Sequence, residues 1–168
     1  MRRALVALLL LAAGAGEARA DGATVVTLSS GSGMSLGRAG EGVGRRRSPA
    51  FIELDVGLSL FDDASIEWTP SILVELEGRV SVAAVPSVKK IAWLKPWLAL
   101  YAGGGVPFFF APFTMIGVEG AVGGIVRVGR RFGVVLEIRV DVFFAGSDLE
   151  DGQALAKLDL ALGIRFDL

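Results

Sequence analysis

Hydrophobic and polar side chains alternate along most of the chain after residue 50. In 52–60 every second residue is apolar, and Glu53, Asp55, Gly57 and Ser59 lie between them. The same alternation runs through 66–82, 116–129, 132–144 and 156–168, whereas 95–106 is apolar with no clear phase. A period of two is typical of strands with two different faces, and helices instead have a period of 3.6. The pattern therefore predicts six strands.

This spacing predicts an all-β fold, an antiparallel up-and-down β-barrel whose domain covers 49–168. Alternation alone does not say which face is outside. A soluble lipocalin-like barrel keeps its apolar side chains inside and its polar ones outside. A transmembrane barrel reverses the two faces. The choice between them depends on features other than the period.

The positions of the aromatic residues favour the transmembrane barrel. Nearly all of them lie at or near strand ends, as in the girdles that mark membrane interfaces. Two groups are expected, one at each end of the barrel. The first contains Phe51, Trp93, Trp97, Phe132 and Phe166, and the second contains Phe61, Trp68, Phe108, Phe109, Phe110, Phe113, Phe143 and Phe144.

Two further features favour the same choice. The polar face carries small residues between its charges, among them Gly57, Ser71, Gly117, Gly123 and Gly163. A narrow interior needs such small residues beside ion pairs, whereas a solvent face does not. The strands are also longer than the five or six residues usual in soluble sheets.

Residues 1–20 have the pattern of a secretory signal peptide. Arg2 and Arg3 precede an apolar run at 4–13, and Ala18-Arg19-Ala20 fits a small-residue cleavage site. The mature chain is then expected to begin at about Asp21. No run of about 18 apolar residues is present, which excludes a helical membrane protein.

Residues 21–48 are rich in glycine and contain Arg45, Arg46 and Arg47. This segment is expected to be a flexible arm or to hold weak strands near 24–28 and 34–37. Its Gly31-x-Gly33 pair is no dinucleotide-binding fingerprint, because no strong strand precedes it and no helix pattern follows.

The connections between strands predict an orientation. Two short basic turns are expected at 86–90, with Lys89 and Lys90, and at 129–131. The other connections, at 61–65, 107–113 and 145–154, include acidic ones. Transmembrane barrels have short periplasmic turns and longer external loops. The longest connection, 145–154, is therefore expected outside the cell and the C-terminus in the periplasm.

The signal peptide, the alternating strands and the terminal segment LALGIRFDL together resemble the small bacterial outer-membrane β-barrels of about eight strands. In that family the last strand is the signal for the insertion machinery, with an aromatic residue third from the end, here Phe166. The family prefers a terminal Phe, whereas this chain ends in Leu168. Eight strands require two more than the pattern shows. The entry segment supplies two, or 66–82 breaks near Gly78, or the barrel is incomplete.

The polar face provides little chemistry. The charges expected inside the barrel include Glu53, Asp55, Glu75, Glu77, Arg79, Glu119, Arg127, Glu137, Arg139, Asp141, Asp159 and Arg165. A structural ion-pair network that fills a narrow interior explains them, because eight strands leave room for side chains and not for a channel. The chain has no His or Cys, which removes the usual triads and the His or Cys metal sites.

No catalytic, cofactor-binding or metal-ligating residue is therefore predicted, and no cofactor. The expected protein is not an enzyme but an outer-membrane barrel with a structural or envelope-interaction role. Its expected partners are the lipid bilayer and the barrel-insertion machinery, and not nucleic acid. A soluble periplasmic barrel that binds an apolar ligand and a small pore remain as alternatives.

Overall fold

The computed structural model describes residues 24–39, 42–60, 65–149 and 153–168. The expected signal peptide at 1–20, with its cleavage before Asp21, lies outside these ranges. No helix within them is long and apolar enough to cross a membrane.

The described chain folds into twelve β-segments. They are β1 (Thr24–Ala39), β2 (Gly42–Arg47), β3 (Phe51–Ser59), β4 (Ile66–Trp68), β5 (Ser71–Glu75), β6 (Ser81–Val85), β7 (Ser87–Lys95), β8 (Leu98–Gly105), β9 (Phe108–Ala111), β10 (Met115–Arg127), β11 (Phe132–Gly146) and β12 (Leu155–Asp167).

These segments build eight strands of a closed wall. β2 and β3 continue one another along the same neighbour, β1, and the pairs β4 with β5, β6 with β7 and β8 with β9 likewise each form one wall strand. Each wall strand pairs antiparallel with the next, and β12 pairs with β1 to close the ring. The predicted up-and-down barrel and its expected number of eight strands are confirmed.

The stretch 66–82 contains two wall strands and not one. Glu75 and Ser81 are direct partners in the β5–β6 hairpin, and Gly78 takes a positive φ of 69° in the turn between them. Glycine adopts this backbone conformation without the steric penalty that a side chain brings. Because both partners face inward, the alternation keeps the same phase on both sides of the turn, and the period does not reveal it.

The basic turn expected at 86–90 is wrong. Pro86 lies between β6 and β7 inside one wall strand, and its carbonyl accepts a hydrogen bond from the Val106 amide at 3.1 Å. The β8 strand pairs with β7 throughout this region. Lys89 and Lys90 therefore belong to the wall.

The entry segment contributes to the wall as well. β1 runs unbroken through both short stretches where weak strands were expected and pairs with β12 over its length. β2 pairs with β1 in turn. The barrel therefore begins at Thr24 and not at residue 49, and this segment is a strand pair and not a flexible arm.

The barrel is polar inside and apolar outside. From Phe51 onward every buried residue of the described chain has an odd number, and these positions hold most of the charges. The even positions of the same strands are largely exposed and apolar, as at Val118, Leu136 and Leu162. A soluble lipocalin-like barrel has the opposite arrangement, so that alternative is wrong.

The two ends of the barrel differ in the parts of the chain that they hold. We call the end where the Leu168 amide bonds the Thr24 carbonyl the terminal end, and the other the distal end. Strand direction places Leu60, Ser65, 96–97 and 128–131 at the terminal end, and Ala39, Gly42, 76–80, 112–114, 147–149 and 153–154 at the distal end. The connection 61–65 was expected on the same side as 145–154, and 61–64 lie outside the described residues. The bordering Leu60 and Ser65 are at the terminal end, opposite 147–149.

Outward-facing aromatic side chains form a group at each end, but not in the expected membership. Trp68, Trp97, Phe132 and Phe166 lie at the terminal end, and Phe108, Phe110 and Phe144 at the distal end. Trp68 is therefore at the end opposite to the Phe108 and Phe144 group in which it was expected. Phe51, Phe109 and Phe143 are buried inside the barrel and belong to no girdle.

Candidate functional site: the charged interior

The interior of the barrel concentrates ionisable side chains that are almost completely buried. Strand alternation aims them inward from six of the eight wall strands. They are Glu53, Asp55, Glu67, Glu75, Glu119, Glu137, Arg139, Asp141, Lys157, Asp159 and Arg165, with Lys89 nearly as buried. Burying a charge is costly unless it is paired and hydrogen-bonded. The pairing scheme therefore determines whether this interior is stable.

Arg139 is the centre of the network. Its guanidinium contacts Glu53 and lies 2.7 Å from Glu137 Oε1 and 3.4 Å from Glu119 Oε2. The hydroxyl of Ser71 donates a second hydrogen bond to Glu53. Four wall strands meet through these side chains, so one cation ties together carboxylates that the sequence places far apart.

Lys89 extends this network toward the terminal end. Its Nζ lies 3.2 Å from Glu137 Oε2 and 3.8 Å from Asp55 Oδ2, and it also lies over the Tyr101 ring. The Tyr101 hydroxyl donates a 2.7 Å hydrogen bond to Glu137. Sequence reasoning missed Lys89 because Pro86 suggested a turn. The signal that would have found it is its odd position between Ser87 and Ile91.

A second cluster lies toward the terminal end. Arg165 donates two hydrogen bonds, of 2.7 and 3.1 Å, to the two carboxylate oxygens of Glu67. Such bidentate pairs are the strong form of the interaction. Arg165 also contacts Asp167 at 3.3 Å, and Asp167 accepts from Arg127, whose guanidinium lies 4.0 Å from the Trp93 ring centre.

A third cluster lies toward the distal end. Lys157 contacts Glu75, which also accepts a 2.6 Å hydrogen bond from Ser81. The Lys157 ammonium stands 4.9 Å from the Phe109 ring centre and 5.4 Å from that of Phe143. Aromatic faces attract a desolvated cation. This cluster thus combines an ion pair with an aromatic cap.

Most charges expected inside the barrel lie there, and three do not. Glu77 and Arg79 belong to the exposed β5–β6 turn, where Arg79 pairs with Asp148 at 3.5 Å. Arg127 is at the open terminal end and exposed. The first two were misplaced because the alternation continues through the turn. Arg127 lies on the inward face as expected, but it is at the terminal rim of the barrel and not in the interior.

Small residues make room for the large ones, as the sequence predicted. Gly123 lies directly opposite Tyr101, and a Cβ there would stand 2.4 Å from the phenol ring. Gly31 is placed in the same way against the Phe51 ring. Glycine in a strand often marks such a close approach. The remaining space is small: one cavity bordered by Glu67, Lys89, Tyr101 and Arg165 has a volume of about 20 Å³.

Carboxylates outnumber cations in the distal half of the interior. Glu119 and Asp141 are direct partners on β10 and β11, and Asp159 lies on the next strand. One side-chain oxygen each of Asp141 and Asp159 is buried without a hydrogen bond. Among the described residues no group of three or more acidic side chains has a geometry that could hold a metal ion.

Taken together, the interior is a packed structure of linked ion pairs. Its buried cations each pair with one or more carboxylates, and the hydroxyls of Ser71, Ser81 and Ser87 donate to those same carboxylates or to a backbone carbonyl. This arrangement crosslinks opposite walls of the barrel. It leaves space for single waters, which need about 10–15 Å³ each.

Comparisons with known proteins give the fold. No protein-family model matches the chain, and no curated protein matches it in sequence. Among solved structures, Neisserial surface protein A (NspA) aligns with a TM-score of 0.67 at 9% identity, over 86% of this chain and 97% of its own.

Two further structures agree. A de novo designed transmembrane β-barrel aligns with a TM-score of 0.60 at 10% identity, over 88% of this chain and 96% of its own. The N-terminal β-barrel domain of Pseudomonas aeruginosa OprF aligns with a TM-score of 0.52 at 15% identity, over 86% and 99%. The chain therefore has the fold of small eight-stranded outer-membrane β-barrels, with little sequence in common.

Proposed function

We propose that the chain is a protein of the bacterial outer membrane that spans the bilayer as a sealed barrel and serves a structural or envelope-interaction role. One observation carries the proposal: an apolar outer wall, bounded by aromatic side chains at both ends, surrounds a charged interior. That arrangement is the reverse of what water stabilises and the one that a bilayer requires.

The size of the apolar surface supports this location. Soluble monomers rarely expose contiguous apolar patches beyond a few hundred Å². Here exposed apolar residues such as Val118, Leu136, Val140 and Leu160 follow one another across adjacent strands. Closure of the wall supports it too, because an open sheet edge in lipid leaves backbone groups without hydrogen bonds.

Lys90 is compatible with the bilayer location. It faces outward but lies opposite Ile66, near the terminal end of the wall and beside the strand position of Trp68. Lysine near an interface places its methylenes on apolar surface and its ammonium in water. We therefore place Lys90 at the boundary between hydrocarbon and headgroups.

The sealed interior supports a role without catalysis or conduction. The buried cations are neutralised by carboxylates, and the space between the side chains holds no more than single waters in the described cavities. An eight-stranded wall leaves room for side chains and not for a channel. The same side chains brace the wall, so we assign them to stability.

The biogenesis that follows from this proposal uses both ends of the chain. Residues 1–20 direct export and are removed before about Asp21, and the last strand is presented to the barrel-insertion machinery. β12 supports this assignment because it is the strand that closes the ring. The terminal end then faces the periplasm, and the distal end faces the outside.

Cell fractionation combined with gel mobility tests the proposal. The protein should sediment with the outer membrane, resist extraction by carbonate, and migrate faster on a gel when unheated than when boiled. A protein that stays in the soluble periplasmic fraction, and is monomeric without detergent, would contradict the membrane location.

A further inference from the structure

A β-bulge at the distal end turns two arginines toward the outside of the barrel. Gly31 pairs with Phe51 and Met34 pairs with Arg47. Between these two pairs, β1 moves on by three residues, from 31 to 34, whereas the partner strand moves by four, from 51 to 47. Within this bulge the Ser48 amide donates a hydrogen bond of 3.0 Å to the Gly33 carbonyl. The extra residue reverses the alternation, so odd-numbered residues face inward in β3 but outward in β2.

Residues that pair directly across two strands lie on the same face of the sheet, so the β1 partners show which way each arginine of β2 faces. Arg47 lies opposite Met34 and Arg45 opposite Leu36, and both partners are outward and exposed, by 37% and 48%. Arg46 lies opposite Ser35, which in turn pairs with the buried Lys157. Without the bulge, one arginine would face outward and two would face the mouth of the barrel. Bulges at barrel rims commonly re-aim side chains in this way.

The two outward guanidiniums have N–H donors that make no hydrogen bond among the described residues. Arg45 donates to the Met34 sulfur, which is a weak acceptor without charge. Arg47 donates one bond to Ser32 and one, of 3.0 Å, to Glu77, and it is still 68% exposed. A guanidinium has five N–H groups. Both arginines therefore present unused donors beside an apolar wall.

We propose that Arg45 and Arg47 bind the phosphate groups of lipid headgroups in the leaflet at the distal end. This rests on the proposed membrane location. Arginine matches the geometry of phosphate oxygens, and two outward cations at the rim of an apolar wall stand where headgroup phosphates lie. A lipid occupant is favoured over a soluble one because Met34 and Leu36, which flank the guanidiniums, suit acyl chains.

Two variants that remove arginines from opposite faces of β2 test this. The full mature chain is reconstituted in vesicles of phosphatidylcholine with spin-labelled phosphatidic acid, and the fraction of labelled lipid held at the protein surface is measured. R45Q/R47Q removes both outward arginines, while R46Q removes the neighbour that faces the barrel mouth. Wild type and R46Q should prefer phosphatidic acid to phosphatidylcholine, and R45Q/R47Q should lose on the order of fivefold for each arginine.

The outcomes separate the two proposals. Heat-modifiable mobility first reports whether each variant inserts, and a wild-type chain that does not insert refutes the membrane location itself. If all variants insert but R46Q loses as much preference per charge removed as R45Q/R47Q, the effect is general surface charge and the phosphate site is refuted. If inorganic phosphate abolishes the preference where sodium chloride of equal ionic strength does not, the site takes free phosphate and the lipid assignment is wrong.

Discussion

Arg139 shows how a single residue determines whether the barrel interior is stable. It is 3% exposed and contacts carboxylates on two other segments of the wall, at Glu53 and Glu119, and that of Glu137 on its own strand. Lys89 and Arg165 neutralise other carboxylates but do not reach Glu53 or Glu119. Breaking a buried pair by removing one partner leaves an uncompensated charge, which costs far more than losing a surface pair.

Arg139→Gln should therefore lower the free energy of unfolding by about 3–5 kcal/mol. Urea unfolding of the refolded barrel in vesicles, followed by heat-modifiable mobility, measures this. Arg79→Gln is the matched control, because Arg79 pairs with Asp148 at the surface and such pairs contribute about 1 kcal/mol or less. Equal losses in the two variants would show that the buried network does not stabilise the barrel.

The outer wall gives a second prediction at this scale. Val140 faces outward in the middle of β11, between the outward rings of Phe132 and Phe144. Val140→Arg should cost about 2–4 kcal/mol if that position is near the bilayer midplane. Val128→Arg, on the same face at the terminal rim, should cost no more than about 1 kcal/mol. The same unfolding assay compares them, and an equal cost would argue against a membrane at this depth.

At the scale of the element, β12 is the strand on which the closed wall depends. It pairs with β11 on one side and β1 on the other, and its last residues pair with Val25, Val26 and Thr27. Its inward face carries Lys157, Asp159 and Arg165, and its outward face carries Ile164 and Phe166. The same few residues therefore close the barrel against β1 and carry the proposed insertion signal.

Two variants separate these roles. Deletion of Arg165–Leu168 removes backbone pairing and the Arg165–Glu67 ion pair, so it should abolish folding both in cells and in purified vesicles. F166A/L168A keeps the backbone and the inward charges, so it should fold in vesicles but reach the outer membrane poorly in cells. Normal membrane levels of the deletion variant would contradict the closure argument, and normal levels of F166A/L168A would contradict the signal.

For the whole molecule, the closed wall of eight strands surrounds an interior that is filled by charged side chains. Three clusters cross the barrel from the terminal to the distal end, around Arg165, Arg139 and Lys157 in turn. Each joins side chains from different wall strands. The likeness to a designed transmembrane barrel at 10% identity shows that this fold does not require a particular sequence.

The barrel should not conduct ions. In planar bilayers the purified protein should give no steady single-channel steps, because its ion-pair clusters occupy the path between the two ends. A porin reconstituted in the same way is the positive control. Reproducible steps that scale with the amount of protein would show that the network opens, and the small-pore alternative would then replace the sealed barrel.

The sequence by itself determined the class of fold and most of the faces. From Phe51 onward a strict period of two separates charged from apolar positions, and this separation survives errors in strand boundaries because the inward positions of the described chain keep one phase there. Glu53, Glu119, Arg139 and Asp159 were therefore placed inside correctly. The period of two also showed that small residues lie on the same face as these charges. Small residues on that face indicated a narrow interior, because little volume is left there beside the charged side chains.

Only the tertiary structure decided where the chain turns and which charges meet. The turn at Gly78 preserves the phase, so periodicity misplaced Glu77 and Arg79. Lys89 was misplaced because Pro86 suggested a turn where the wall strand continues. The bulge before Phe51 reversed the facing of Arg45 and Arg47 by adding one residue. Such outcomes depend on register between strands, and register is set by partners that lie far away in the sequence.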